Sequence, residues 1–118
     1  MERMLQAQLM SAPSEPIGVV DIGSNSVRMV VYEGERRSPH ILFNEKVLCG
    51  LGEDLNTTGL LSQAGVELAH QTLARFAHLS LDMNLRHLDV VATSAVRDAA
   101  NGEEFIQDVE LKTGLHVN

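Results

Sequence analysis

Aromatic residues are nearly missing: no tryptophan, one tyrosine and three phenylalanines stand among 118 residues. Any core must therefore be aliphatic. The 44% hydrophobic content is enough to build one and argues against general disorder. A single cysteine, Cys49, excludes an internal disulfide and any zinc site made of several cysteines. It reads as a small buried hydrophobe. No apolar run approaches the length of a membrane span, and the first residues lack the apolar region of a signal peptide. A cytoplasmic protein without a membrane partner is the expectation. Positive charge is scarce too, with nine Lys and Arg against sixteen Asp and Glu, a formal net charge of −7. That balance argues against a broad nucleic-acid-binding surface and confines any phosphate contact to a local site. The Walker pattern and G-x-G-x-x-G are both absent. The histidines (His40, His70, His78, His87 and His116) show no metal-ligand spacing.

What is present centres on residues 17–32. Two short apolar strands, 17–22 and 27–33, are joined by Gly23-Ser24-Asn25-Ser26. Val, Ile and Tyr suit a pleated, half-buried surface. Gly and Asn tolerate positive φ, so the joint reads as a tight hairpin. Asp21 is a charge in an otherwise apolar strand, and a buried carboxylate is costly unless something pairs with it. A carboxylate at a strand end, followed by small hydroxyl and amide residues, suits a hydrated Mg²⁺ with a phosphate, because Mg²⁺ keeps several waters and leans on substrate phosphates. Backbone amides around Gly23 can form an anion nest.

Met1 to Glu15 reads as a disordered lead-in, broken from the rest by Pro13 and Pro16. Residues 34–39 read as a turn, with Arg36 and Arg37 solvated. Residues 40–48 read as a third strand with Ile41, Phe43 and Val47 on one face, ended by Cys49-Gly50-Leu51-Gly52. Residues 53–61 read as a loop. Ser62 is a candidate N-cap for an amphipathic helix over 63–79, whose apolar residues are Val66, Ala69, Leu73, Phe76 and Ala77. Residues 88–92 read as a fourth strand. A helix between strands three and four marks a crossover, so strand four should run parallel to strand one. A turn or short helix follows at 93–100. A capping box at Asn101 and Glu104 should open a second amphipathic helix, with Phe105, Ile106 and Val109 inward and Gly114 at its end. Residues 115–118 would begin a fifth strand.

The expected fold is α/β: a mixed five-stranded sheet of order 3-2-1-4-5 covered by two helices. Ligands of open α/β sheets sit beyond the carboxyl ends of parallel strands. Strand one ends at residues 21–26 and strand four at 93–97, so both ends should meet at one cleft. Thr93 and Ser94 offer hydroxyls there, and Arg97 offers a forked, permanently charged donor to phosphate.

The string D-x-G-S-N-S-x-R at residues 21–28 resembles the first phosphate motif of the actin-like ATPase superfamily, and within it the exopolyphosphatase/guanosine pentaphosphate phosphohydrolase family. The string T-S-A-V-R-D-A at 93–99, with Asn101 following, is similar to the same family. The resemblance implies that residues 16–118 are an incomplete N-terminal ribonuclease H-like lobe. It implies a Mg²⁺-dependent hydrolase that releases terminal phosphate from inorganic polyphosphate or guanosine pentaphosphate. Asp21 would hold the metal, and Gly23, Ser24, Asn25, Ser26, Thr93, Ser94 and Arg97 would hold substrate phosphate. The full-length protein would be a homodimer. The family's catalytic glutamate follows strand five and is expected beyond Asn118. Glu103, Glu104 and Glu110 read as helix-surface residues. On this reading the 118 residues alone release no phosphate. The alternatives are a phosphotransferase of the same superfamily and a non-catalytic phosphate- or alarmone-binding module.

Overall fold

The computed structural model describes residues 15–34 and 40–118. Most of the expected disordered lead-in, and Arg36 and Arg37, lie outside the described residues. Strands β1 (Ile17–Ile22), β2 (Ser26–Tyr32), β3 (Ile41–Leu48) and β4 (His87–Ala92) form one mixed sheet of order β3-β2-β1-β4. β1 pairs antiparallel with β2 and parallel with β4, as the crossover requires.

Register follows the apolar alternation. Val20 faces Met29 across the β1–β2 ladder and Val90 across the β1–β4 ladder. Ile22 faces Val27. All five are almost wholly buried on one face. Slipping any strand by one residue would turn these side chains to solvent, so burial pins the register.

That face is covered by α2 (Gln63–Asp82), which buries Ala69, Leu73 and Phe76. Full burial of side chains the size of Leu73 and Phe76 contributes about 1.5–3 kcal/mol each. Arg75 of α2 pairs with Glu45 of β3. Beside α2 lies α4 (Gly102–Thr113), with Phe105, Ile106 and Val109 in the same core cluster. The opposite sheet face carries Asp21, Leu42, Leu48 and Val91, all exposed.

Several expectations need correction. Among the described residues the sheet has four strands, not five. Residues 115–118 add one parallel bridge, Val90 to Val117, with Asn118 N donating to Val90 O at 2.8 Å. The Val117 amide is taken by the Glu110 carboxylate at 3.0 Å, so no ladder forms there. Among the described residues two single-turn helices accompany the two long ones. α1 (Leu55–Thr58) lies in the expected loop, where the Thr57 and Thr58 hydroxyls donate to Asp54 O. α3 (Ser94–Asp98) follows β4 directly. α2 runs on to Asp82 rather than ending at 79, and β3 starts at Ile41 rather than His40. Ser62 does cap α2, accepting from Gly65 N at 3.1 Å.

The capping box does not form. Asn101 precedes α4 but makes no side-chain cap bond. Its carboxamide oxygen instead accepts from Leu61 N at 2.8 Å. A contact forty residues away in sequence outcompetes the local one, because the buried Leu61 amide needs an acceptor.

Candidate functional site

The ends of β1 and β4 lie side by side. Thr93 N donates to Ile22 O at 3.0 Å, carrying the parallel ladder one residue past the end of β4. A Cβ placed on Gly23 would come within 4.0 Å of Thr93 Cγ2. The hairpin at residues 23–26 and the β4–α3 turn thus share one edge. Gly23 N donates to Ser26 O at 2.9 Å, closing the hairpin, while Ser24 and Asn25 face solvent.

Asp21 is exposed on the open sheet face, so no buried partner is required. Its cross-strand neighbour is Arg28, whose Nη1 donates to Asn44 Oδ1 at 3.0 Å. Arg97 is exposed, and its Nε donates to Ala92 O at 3.2 Å, which folds the side chain back over the end of β4. Asp98 and Glu103 are near in sequence, yet Arg97 forms no ion pair among the described residues. The rest of its guanidinium is left for an outside acceptor. Thr93 and Ser94 are exposed, and the Thr93 hydroxyl makes no cap bond.

A hollow of ≈ 650 Å³ opens beside the hairpin, lined by Ser24, Asn25, Cys49, Gly50, Gly52 and Glu53 among others. A second, of ≈ 470 Å³, is lined by Arg97 together with Asp98, Glu103 and Glu110. The hairpin and Arg97 therefore border separate hollows, and Asp21 lines neither. The groups that stand free at this edge are the exposed Ser24 and Asn25 side chains and the part of the Arg97 guanidinium not bonded to Ala92 O. For a cation there is the Asp21 carboxylate. Among the described residues no three His, Cys, Asp or Glu side chains gather as a metal cluster. A single carboxylate suits Mg²⁺, which fills its shell with water and substrate oxygens, and does not suit zinc.

Sequence reading missed the loop after β3. Gly50 N donates to Asn25 O at 3.1 Å and Gly52 N to Ser24 O at 2.7 Å, so this loop clasps the hairpin. A Cβ on Gly52 would lie 2.7 Å from Ser24 Cβ. On the other side a Cβ on Gly65, in the first turn of α2, would lie 2.9 Å from Cys49 O. The signal was the pair Gly50-x-Gly52, which sequence reasoning took for a simple strand stop. Cys49 itself is buried, with its Sγ 4.0 Å from Thr72 Oγ1. Burial pushes its thiol up, against the weaker pull of hydrogen bonds from Thr72 and the Val27 backbone. That disfavours the nucleophilic thiolate.

The sequence pattern of the Ppx/GppA phosphatase family matches residues 29–118. Exopolyphosphatase 1 of Mycobacterium bovis is 31% identical over 102 residues, covering 86% of this chain and 30% of that protein. The crystal structure of the Aquifex aeolicus Ppx/GppA family member superposes with a TM-score of 0.83 at 30% identity, covering 87% of this chain and 34% of that one. An exopolyphosphatase from Cytophaga hutchinsonii superposes with a TM-score of 0.78 at 29% identity, over 86% and 33%. The chain thus spans about a third of the length of these relatives.

Proposed function

Because the chain belongs to the Ppx/GppA phosphatase family, we propose that it is the phosphate-binding lobe of an exopolyphosphatase-type hydrolase. Its substrate is the terminal phosphoanhydride of inorganic polyphosphate or of guanosine pentaphosphate. It works with the remainder of a longer, homodimeric cytoplasmic enzyme. The observation that carries the reading is the Thr93 N to Ile22 O hydrogen bond, which sets residues 23–26 beside residues 93–97.

Gly23, whose amide closes the hairpin on Ser26 O, lets Ser24, Asn25 and Ser26 present amides and side chains to phosphate oxygens. Thr93 and Ser94 add hydroxyl donors from the neighbouring strand end. Arg97 donates a forked pair of charge-assisted hydrogen bonds to a second phosphate group or a second face of the same one. Asp21 supplies the carboxylate for a hydrated Mg²⁺, which when bound neutralises charge on the phosphate oxygens. Positioning and charge neutralisation carry phosphoryl transfer, so a lobe that supplies them still needs a group to aim water. Glu103 and Glu104 are exposed on α4 and do not take that role. That group lies outside these residues, and the 118-residue chain binds phosphate chains without cleaving them.

The test is an NMR titration of the labelled chain with tripolyphosphate, with and without Mg²⁺. Residues 23–26 and the Arg97 guanidinium should shift. Asp21→Ala should remove the Mg²⁺ dependence, and Arg97→Ala should weaken binding about tenfold, the loss of one charge-assisted contact. In a longer enzyme carrying this lobe, Asp21→Ala should abolish Mg²⁺-dependent phosphate release. Shifts confined to other surfaces would overturn the phosphate site, and normal turnover by Asp21→Ala would overturn the metal role.

A further inference from the structure

The two halves of the candidate site lie on different loops, and one continuous hydrogen-bonded strap runs between them. It begins at the hairpin, where Ser24 O and Asn25 O accept from Gly52 N and Gly50 N. One residue further, Leu51 O accepts from Ser62 N at 2.9 Å, drawing the start of α2 onto the same loop. Leu61 and Ser62 are buried at this junction. The strap then crosses to the Arg97 side by two bonds. Ala100 N donates to Gly59 O at 2.9 Å, and Leu61 N donates to the Asn101 carboxamide oxygen at 2.8 Å. The Asn101 side chain takes the place that a backbone carbonyl would hold in a strand pair. Every other link of the strap is backbone to backbone.

From Asn101 to Arg97 there is no slack. Gly102 N donates to Ala99 O at 2.8 Å, and Phe105 N to Asn101 O at 3.0 Å. The Gly102 Cα lies so close to α3 that a Cβ there would stand 2.1 Å from Val96 O and 2.7 Å from Arg97 O. Asn101 is therefore the side-chain fastener of a rigid turn that carries Arg97.

We propose that Asn101 is a positioning residue: by accepting from Leu61 N it fixes the Arg97-bearing turn relative to the phosphate-binding hairpin, through residues 49–62. This rests on the assignment of the hairpin and Arg97 to phosphate. Asn101 touches no phosphate itself, and its effect is on where the Arg97 guanidinium stands. Groups that orient metal ligands from behind cost about tenfold or more when substituted, and a fastener behind a phosphate-binding arginine is expected to act in the same way.

Three forms of the chain test it, with folding checked first by circular dichroism: unmutated, Asn101→Ala and Asn101→Asp. The aspartate keeps the acceptor oxygen that alanine removes. In the unmutated chain the Leu61 amide must be protected from hydrogen exchange; exchange at the unprotected rate overturns the proposal without any variant. Asn101→Ala should shift or broaden the Arg97 Nε–H resonance and weaken tripolyphosphate binding about tenfold, and Asn101→Asp should restore both. An Arg97 resonance unmoved in folded Asn101→Ala overturns it. So does an aspartate variant that folds and fails to restore that resonance. Should Asn101→Ala not fold, Asn101→Ser takes its place, its hydroxyl being too short to reach Leu61 N. Failure of the phosphate reading looks different: tripolyphosphate then leaves Arg97 unmoved in the unmutated chain, while the resonance still responds to the Asn101 series.

Discussion

The hairpin at residues 23–26 and the turn bearing Arg97 stand at the same end of the sheet and are braced by different means. The hairpin is clasped through backbone alone: two loop amides donate to Ser24 O and Asn25 O, and Gly52 packs against an exposed serine. The turn is held from inside, by a glycine against two carbonyls and a carboxamide on a buried amide. The turn at Ser24 and Asn25 is exposed and can shift as a unit, whereas carbonyls fixed within a helix cannot. The hairpin is thus the adaptable half, and the turn is the rigid half.

The largest effect on that contrast should come from Gly102→Ala. The new methyl would need the space of Val96 O, 2.1 Å away. Such overpacking against backbone should cost about 3 kcal/mol, read by urea denaturation. A loss below about 1 kcal/mol would show that the turn is as compliant as the hairpin.

Next is Gly52→Ala. Its methyl would meet Ser24 Cβ at 2.7 Å, but Ser24 belongs to an exposed turn that can move aside. A cost of about 1 kcal/mol is expected, with a larger fall in tripolyphosphate affinity than in stability. Equal stability losses for the two glycine variants would erase the contrast.

The smallest effect concerns acid. The His70 ring packs on Phe105 of α4 with centroids 5.2 Å apart, and its Nδ1 is buried without a hydrogen-bond partner among the described residues. Desolvation by burial lowers its pKa, and Lys112 adds to this, while Asp108 opposes it. The folded state therefore resists protonation that the unfolded chain accepts. Stability should begin to fall as pH drops through about 6.5, the ordinary histidine value. The fall should continue until pH is below the depressed folded value. Because His70 bears on α4, amide exchange should quicken around residues 101–106 before it does around residues 23–26. His70→Leu should flatten this acid response, and an unchanged pH profile in that variant would remove His70 as its source.

Much of the architecture was legible because it rests on local patterns. Alternating Val, Ile and Met at positions 20–31 dictated two strands and their register, since a one-residue slip exposes the whole apolar set. The helical spacing of Ala69, Leu73 and Phe76 announced a crossover, and right-handed crossovers leave few choices of strand order. The placement of the strings at 21–28 and 93–97 was legible for the same reason: each is a short run at a strand end. Asn101 shows where such reading stops. Followed by Glu104, it spells a capping box, yet its oxygen belongs to Leu61. Which acceptor a buried amide finds depends on what the chain brings beside it, and no spacing encodes that.

The glycines divide in the same way. Gly114 announced a helix end and has the left-handed φ of 74° expected there. Gly52 and Gly102 are needed because another segment passes within contact distance, and the segment in each case is set by packing. The sequence by itself determined the strands, the long helices, their order and the residue types that stand at one edge. Only the tertiary structure decided how the two halves of that edge are braced against each other, because the bracing groups are backbone amides and carbonyls, identical in every residue and distinguished only by position.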